Sequence, residues 1–548
     1  MKTKLIIFAF FAAATMMLSV QTSRSQVTQV WEQRYNGTAD STDIPKNVVV
    51  DAAGNVYVTG STRSSSGAHL DIVTIKYNSE GSVQWLQKYN GPADSSDYPE
   101  SIVVDASGNV YVTGSSFVIG SKYDIITIKY NSQGVQQWLQ TYNGTAGDLD
   151  FSYDLSVDPS GNVFIAGSSI GNGTSYDYVL IKYTSAGVQQ WVQRYNGTGN
   201  SFDSPFQLEI DNTGNIFLSG YSTGIGTGYD YLTIKYNSSG VLQWEQRYNG
   251  IGNSTDVIKT MAVDGAGNVY ISGFSDGGSS GSDWATIKYN SAGVQQWIQR
   301  YNGAGNGQDA ASSLAVDDSG NVYISGYTSG STSSDDYLTI KYNSTGVQQW
   351  QQTYNGPGNA GDDVYSLTID GTGNIYVTGY SFGSGTYNDY ATVKYNSAGT
   401  QQWIQRFNGT AGNSDEAYSV TVDGSGNVYV TGSSRSSTGF DIATIKYSQT
   451  VGIQNIGNEI PEGFSLSQNY PNPFNPKTNI GLRIAGFGFV SLKVFDITGK
   501  EVSVLVNEEL SAGVYNVDFE ASNLSSGTYF YSMETAGFRD VKKMVIVK

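Results

Sequence analysis

"DGSGNVYVTG" occupies residues 423–432, and near copies begin at Asp51 ("DAAGNVYVTG"), Asp105 ("DASGNVYVTG"), Asp211 ("DNTGNIFLSG") and Asp370 ("DGTGNIYVTG"). An aspartate, a glycine and an asparagine recurring in this order read either as ligands repeated for a chemistry or as the turn that lets two strands meet. A calcium loop places several oxygen donors on alternating residues. Here the positions between Asp and Gly hold Ala-Ala, Gly-Ser, Gly-Thr or Pro-Ser. That spacing suits a short hairpin, in which the carboxylate accepts backbone N–H bonds and the glycine takes the positive φ of a bulged turn.

The motif belongs to a longer period. Tryptophans stand at 31, 85, 138, 191, 244, 297, 350 and 403, separated by 54 residues once and then by 53. The motif aspartate keeps the step at 51, 105, 158, 211, 264, 317, 370 and 423, as does the lysine of "IKY" at 76, 129, 182, 235, 288, 341, 394 and 446. Each of the eight copies reads as four short strands: "SVTVD" (419–423), "NVYVTG" (427–432), "DIATIKY" (441–447) and the "QQWIQRFN" type (401–408). Apolar and polar residues alternate in them, as half-buried strands require. A four-stranded sheet at this period predicts a β-propeller blade.

The ends of the array sharpen that expectation. The chain enters at "VTQVWEQRYNG" (27–37), a Trp strand with no partners before it, and leaves at "IATIKYSQT" (442–450), a third strand with no Trp strand after it. Pairing the orphan with the last copy closes a ring of eight and removes exposed edges; an open β-solenoid is the alternative. The unit resembles the SBBP-type β-propeller repeat, whose hallmark is a "VD.SGNVYVTG" core, over about 27–449. The resemblance implies the fold and no uniform activity, and eight copies depart from the seven blades for which that family is named.

Composition agrees. The 548 residues include 66 Gly, 40 Tyr and 9 Trp with 14% charged side chains, which suits short strands and tight turns over helices. Formal net charge is −18 with no basic cluster, which disfavours nucleic acid and anionic membrane surfaces as partners. Cysteine is absent, so disulfides and thiolate metal sites are excluded. "MKTKLIIFAFFAAATMMLSV" followed by "QTSRSQ" has the order of a secretory signal peptide over 1–25, cleaved near Ser25. A retained anchor is the alternative, and no later stretch is long enough to span a membrane.

The period ends after Tyr447. Residues 450–461 read as a linker between the propeller (26–449) and a C-terminal domain (462–548), whose six or seven short strands suggest a small Ig-like β-sandwich. That domain contains "NYPNPFNP" (469–476), "VFDITGKEV" (494–502), "LSAGVYNVDFEASNLSSGTYFY" (510–531) and "KKMVIVK" (542–548). It resembles the type A C-terminal sorting domain of the type IX secretion system of Bacteroidetes-like bacteria. The resemblance implies the secretion machinery as a partner, release or attachment at the cell surface, and a cut within 450–461. A fibronectin-like adhesive module is the alternative.

Three aspartate columns account for 24 of the 48 acidic residues. Besides the motif column, one follows "YNG" (43, 97, 150, 203, 256, 309, 362, 415) and one precedes the lysine strand (71, 124, 177, 230, 283, 336, 389, 441). In a four-stranded meander these two begin strands on one face, while the motif Asp and the "IKY" Lys end strands on the other. An Asp–Lys or Asp–Tyr link inside each blade is the simplest account of them; calcium or a glycan on the Asp-bearing face is the alternative. The single histidine, His69, lies in the loop "SSSGAHLDI" and reads as solvated, and no nucleophile elbow accompanies it. Asn-Gly-Thr and Asn-Ser-Ser sequons read as by-products of Asn-rich turns.

No residue is therefore assigned to catalysis, to a cofactor or to a metal. A single site needs asymmetry, which must lie in columns that differ between blades. The loops at 61–70, 115–123, 168–176, 221–229, 274–282, 327–335, 380–388 and 433–440 are small and Gly/Ser-rich, and Phe202, Phe206 and Lys259 are the bulky exceptions after "YNG". The expectation is an exported propeller that binds a protein or glycan partner, with a polysaccharide-degrading enzyme using face aspartates, or a purely structural adhesion component, as alternatives.

Overall fold

The computed structural model describes residues 27–63, 69–330, 334–410, 412–449, 453–457, 461–521 and 524–548; the leader expected at 1–25 lies outside them. The described chain divides into two compact units, one of them Val27–Gln449 and the other beginning after it.

The first unit is all β and consists of eight four-stranded antiparallel sheets. Blade 1 is Ile44–Val50, Val56–Arg63, Leu70–Tyr77 and Val83–Tyr89, paired in that order. Blades 2 to 7 repeat this arrangement over 97–142, 150–195, 203–248, 256–301, 309–354 and 362–407. Blade 8 takes Asp415–Val422, Val428–Arg435 and Phe440–Gln449 from the end of the array and Val27–Tyr35 from its start. Trp31 lies opposite Lys446, in the register that sets Trp85 opposite Lys76 in blade 1.

Each blade is fastened to the next by the same few contacts. Trp85 packs between Tyr57 of its own blade and Tyr130 of blade 2, and its Nε1 donates to Ser132 O at 3.2 Å. Blade 8 holds blade 1 in the same way, through Trp31 Nε1 and Lys446 Nζ on Ser79 O at 3.1 and 2.9 Å. The Val48 amide also donates to Ser419 Oγ. Blade 8 lacks the turn that would offer blade 7 a carbonyl, because its third strand is not followed by a fourth. Gln449 supplies the acceptor instead: its Oε1 receives Trp403 Nε1 at 3.2 Å and Lys394 Nζ, and its Nε2 donates to Gly426 O and Tyr376 Oη.

The sequence suggested strands buried on one face only. The second and third strands are instead buried along nearly their whole length, as in Val56–Arg63 and Leu70–Tyr77. Neighbouring blades cover both sides of them, so their polar residues need internal partners; Thr59 Oγ1, for instance, donates to Val73 O at 3.1 Å. Alternation of exposure survives best in the first strand of each blade.

All eight first strands carry a β-bulge at one position, such as between Pro45 and Asn47 or between Val364 and Ser366. The last glycine of the repeated motif explains why it fits. A Cβ on Gly60 would lie 2.5 Å from Ile44 O and 2.8 Å from Pro45 Cα, and equivalent clashes recur from Gly114 to Gly432. Only a residue without a side chain lets the bulged strand approach so closely.

The second unit contains two four-stranded antiparallel sheets, formed by 453–457, 513–520, 477–484 and 465–466, and by 501–510, 488–495, 527–535 and 538–546. Both contribute to one core that includes Ile480, Leu482, Leu492, Val494, Val517, Tyr531, Met533 and Met544. Eight strands replace the six or seven expected, and Ile453–Gly457, inside the expected linker, pairs with Gly513–Glu520. The "NYPNPFNP" stretch is anchored by buried Asn469 and Phe474, and the Asn469 amide donates to Tyr531 Oη at 2.8 Å. No helix among the described residues is long and apolar enough to cross a membrane.

Candidate functional site

The three repeated aspartate columns are engaged within the fold. In the motif, Asp51 Oδ1 accepts the amides of Ala53 and Asn55 at 2.9 Å, and Oδ2 accepts Asn55 Nδ2 at 2.8 Å and Tyr57 Oη at 2.9 Å. Gly54 closes the turn at φ 79° with its amide on Asp51 O. Burial pushes the Asp51 carboxyl up, but these hydrogen bonds outweigh it and hold the group below the usual carboxylate range. The Asp–Tyr link recurs in six blades and is absent in the two where phenylalanine, Phe164 or Phe217, replaces the tyrosine.

The column after "YNG" is buried and clips the connection between blades. Asp43 Oδ2 accepts the Gly37 amide at 2.6 Å, and the same bond repeats through Gly409 and Asp415. The third column corrects an expectation. In five blades its partner is neither the "IKY" lysine nor a tyrosine but the arginine three residues after the Trp: Arg194–Asp177 at 2.9 Å, Arg247–Asp230 and Arg300–Asp283 at 3.0 Å, Arg406–Asp389 at 2.8 Å and Arg34–Asp441 at 3.6 Å. Seven lysines of the "IKY" column reach across to the next blade's turn carbonyl instead, as Lys76 does to Ser132 O, and Lys394 reaches the Gln449 side chain. Each also lies over an aromatic ring, Lys76 being 5.1 Å from the centre of Tyr57. His69 is exposed.

Asymmetry is concentrated in the residue that each bulge inserts: Lys46, Glu100, Tyr153, Phe206, Lys259, Ser312, Tyr365 and Tyr418. An inserted residue answers to no ladder partner, so its side chain is free of the repeat's pairing rules. Around this column two chemically distinct sectors form.

In blades 2 to 5 the sector is aromatic. Ring centres follow one another from Tyr98 to Tyr123 (6.0 Å), Phe151 (5.5 Å), Tyr176 (6.1 Å) and Phe202 (5.6 Å). A second run joins Tyr153 to Phe206 (5.8 Å), Tyr221 (5.7 Å) and Tyr229 (4.5 Å), and Lys259 Nζ lies 4.9 Å from the Phe206 ring centre. Two of the three bulky exceptions noted in the sequence thus meet, and the third, Phe202, stacks on Tyr176.

In blades 6 to 8 the sector is acidic and tyrosine-rich. Tyr365 touches Tyr380 and Tyr418 at 5.9 and 5.3 Å, and Tyr418 Oη donates to Glu416 at 3.2 Å. Asn388 Nδ2 donates to the other oxygen of Glu416, and Ser329 Oγ donates to Asp335. Asp363 keeps its Oδ1 buried with no hydrogen-bond partner. Burial, and then the charges of Asp335 and Glu416, raise its carboxyl to about 7. The adjacent hydroxyls of Tyr380 and Tyr418 are pushed up to about 12, each chiefly by burial. A carboxyl of this kind can hold a proton near neutrality and donate it.

Sequence reading found no blade with paired carboxylates because the pair is split between blades. Asp363 and Glu416 each follow the repeated aspartate of their own copy, in "DD" (362–363) and "DE" (415–416). The doubled acids were the available signal. The bulge that faces this sector had none, since one inserted residue leaves the local pattern intact.

Five stretches, 34–67, 84–117, 141–173, 296–331 and 402–441, match the family described as a beta-propeller repeat. Residues 468–547 match the secretion system C-terminal sorting domain. The sorting domain marks the chain for export to the cell surface or beyond, and the secretion machinery is its partner. An uncharacterized WD repeat-containing protein of Acanthamoeba polyphaga mimivirus is 20% identical over 56% of this chain and 29% of its own length, so the chain spans less than a third of that relative. Among solved structures, the β-propeller domain of the Trilobed protease from Pyrococcus furiosus is similar at 10% identity and TM-score 0.39, over 64% of this chain and 95% of the other. The WD40 domain of SCAP from fission yeast is similar at 10% identity and TM-score 0.37, over 76% and 98%. An α-L-arabinofuranosidase from Fusarium graminearum is similar at 10% identity and TM-score 0.34, over 56% and 94%. These distant likenesses carry nothing about function.

Proposed function

We propose that this exported β-propeller is a closed ring of eight blades that binds a protein or glycan partner outside the cell, delivered by an Ig-like sorting domain at its C-terminus. Closure is supported by strand Val27–Tyr35 completing blade 8 and by the Trp31 and Lys446 contacts to Ser79 of blade 1. The observation that carries the binding reading is the bulge column. Eight copies keep their turns, clips and tryptophans, yet at the bulge they present Lys, Glu, Tyr, Phe, Lys, Ser, Tyr and Tyr. Stability alone asks for no such variety, and the aromatic residues around it are suited to recognition.

Incubating the purified chain with arrayed extracellular glycans and proteins tests it: retention of a partner without turnover is the expected result. A second reading is favoured by Asp363 beside Glu416. There the acidic sector cleaves a glycan, with Asp363 as proton donor. Release of shortened products that stops in Asp363→Asn, with binding intact, establishes that reading in place of the first.

A further inference from the structure

The aromatic sector contains a cavity between blades 3 and 4, about 240 Å³ in volume. Its walls are the rings of Phe151, Tyr153, Tyr176, Phe202 and Tyr221, joined by the hydroxyl-bearing Ser168 and Ser204. None of these residues is charged. From these features we propose that the cavity is a subsite for one sugar ring of a neutral polysaccharide. The assignment rests on reading this face as a binding surface.

Three observations converge on that ligand. The first is that the rings are not there for the fold. The inner-strand position of Phe151 and Ser204 holds Val257 in blade 5 and Ala310 in blade 6, and the position of Phe202 holds Thr42, Ser96 and Thr255 in other blades. Phe202 remains 43% exposed, an aromatic ring presented to solvent while stacked on Tyr176 at an interplanar angle of 29°.

The second is the mixture of faces and hydroxyls. A sugar ring offers C–H faces that pack on aromatic rings and hydroxyls that demand hydrogen bonds when they leave water. Tyr153, Tyr176, Tyr221, Ser168 and Ser204 supply donors and acceptors around the rings. Beside them, Tyr178 is 1% exposed and its hydroxyl has no hydrogen-bond partner. Its counterparts Tyr231, Tyr337 and Tyr390 donate to carbonyls of Ala285, Ala391 and Ala443. Gly220, which pairs opposite Pro205, leaves room for that hydroxyl: a Cβ there would lie 2.1 Å from Ser204 O and 2.5 Å from Tyr178 Oη.

The third is charge. An uncharged lining offers no counter-ion of its own for a carboxylate or sulfate, and the chain carries a formal net charge of −18, so an anionic polymer is disfavoured. The cavity is also small against drug-sized pockets of about 300–1,000 Å³, which suits a single ring, while the aromatic run toward Tyr98 offers stacking to neighbouring units of a chain.

Isothermal titration of the full chain with soluble galactomannan, xyloglucan and mixed-linkage β-glucan tests the subsite, with polygalacturonate and a denatured protein as comparison ligands. Ser204→Phe copies the blade 3 residue into blade 4 and fills the cavity, while Phe202→Ala and Tyr176→Ala remove rings from its rim. Tyr365→Ala alters the acidic sector, and Val294→Ala, on an exposed turn outside both sectors, is the control. Binding of a neutral polysaccharide that falls about tenfold or more in the first three variants, with Val294→Ala unchanged and all melting temperatures near that of the parent, is the expected result. Neutral glycan binding that survives Ser204→Phe and Phe202→Ala but fails in Tyr365→Ala overturns the subsite and leaves the binding function standing. Retention of only polygalacturonate or only protein overturns the ligand class, and retention of nothing overturns the function as well.

Discussion

Replacing Trp31 with alanine tests whether the first strand of the chain is a structural member of blade 8. Trp31 is 9% exposed, its ring centre lies 6.1 Å from both Tyr77 of blade 1 and Tyr429 of blade 8, and its Nε1 donates to Ser79 O. Truncating a buried tryptophan costs about 3–5 kcal/mol from lost transfer energy and the cavity left behind. Trp31→Phe isolates the hydrogen bond, because most of the ring stays. Lys446 Nζ still satisfies Ser79 O at 2.9 Å, so the lost bond costs about 1 kcal/mol. Unfolding in guanidinium, followed by near-ultraviolet circular dichroism, reads both, with Trp191→Ala in blade 3 as the comparison within the array. Trp31→Ala is expected to lose at least as much as Trp191→Ala, since the chain joins Val27–Tyr35 to blade 1 but only strand pairing with Phe440–Gln449 joins it to the rest of blade 8. A loss of about 0.5 kcal/mol or less, as for a surface substitution, refutes the closure.

Other expectations follow from single contacts. Asp363 titrates near 7 in the folded chain against a usual 3.8, so ionising it opposes folding: the penalty is absent below about pH 4, grows as pH rises to 7 and reaches up to about 4 kcal/mol above that. Asp363→Asn should therefore melt higher than the parent at pH 8.5, with the difference shrinking to about 1 kcal/mol at pH 4.5, and an equal difference at both pH values contradicts the buried carboxyl. Arg300→Ala leaves Asp283, 4% exposed, without its cation, and should destabilise by about 3–5 kcal/mol. Adding Asp283→Asn should restore much of that loss in a thermal melt, and no restoration counts against the ion pair. EDTA should leave the melting temperature unchanged, because both oxygens of carboxylates such as Asp51 are hydrogen-bonded within the chain.

The architecture was legible because each blade repeats its signals in one dimension. The spacing of Trp31 to Trp403, the Asp–Gly–Asn turn and the orphan strand at 27–37 all survive as local sequence, and strand pairing follows from them. The partner of the third aspartate column was not legible, since Arg194 and Asp177 meet through pairing of the third and fourth strands and the arginine gives way to Lys88, Thr141 and Thr353 in three blades. Burial of Val56–Arg63 on both faces was hidden for a related reason: it depends on what stacks against the sheet. The aromatic and acidic sectors were the least visible. Tyr153 and Phe206, or Asp363 and Glu416, stand 53 residues apart in sequence, and only the stacking of blades brings such columns together. The glycine that ends every motif copy was legible as a strand residue, yet its role is to admit the bulge.

The central claim is that the repeat builds the ring while the bulge column carries recognition. Blade 6 already holds Ser312 at that position, so serine is compatible with the fold there. A chain with Tyr153, Phe206, Tyr365 and Tyr418 all changed to serine should keep its circular dichroism spectrum and cooperative melt while losing retention of the partner that the parent captures from arrayed extracellular glycans and proteins. Undiminished capture by that folded variant would contradict the account.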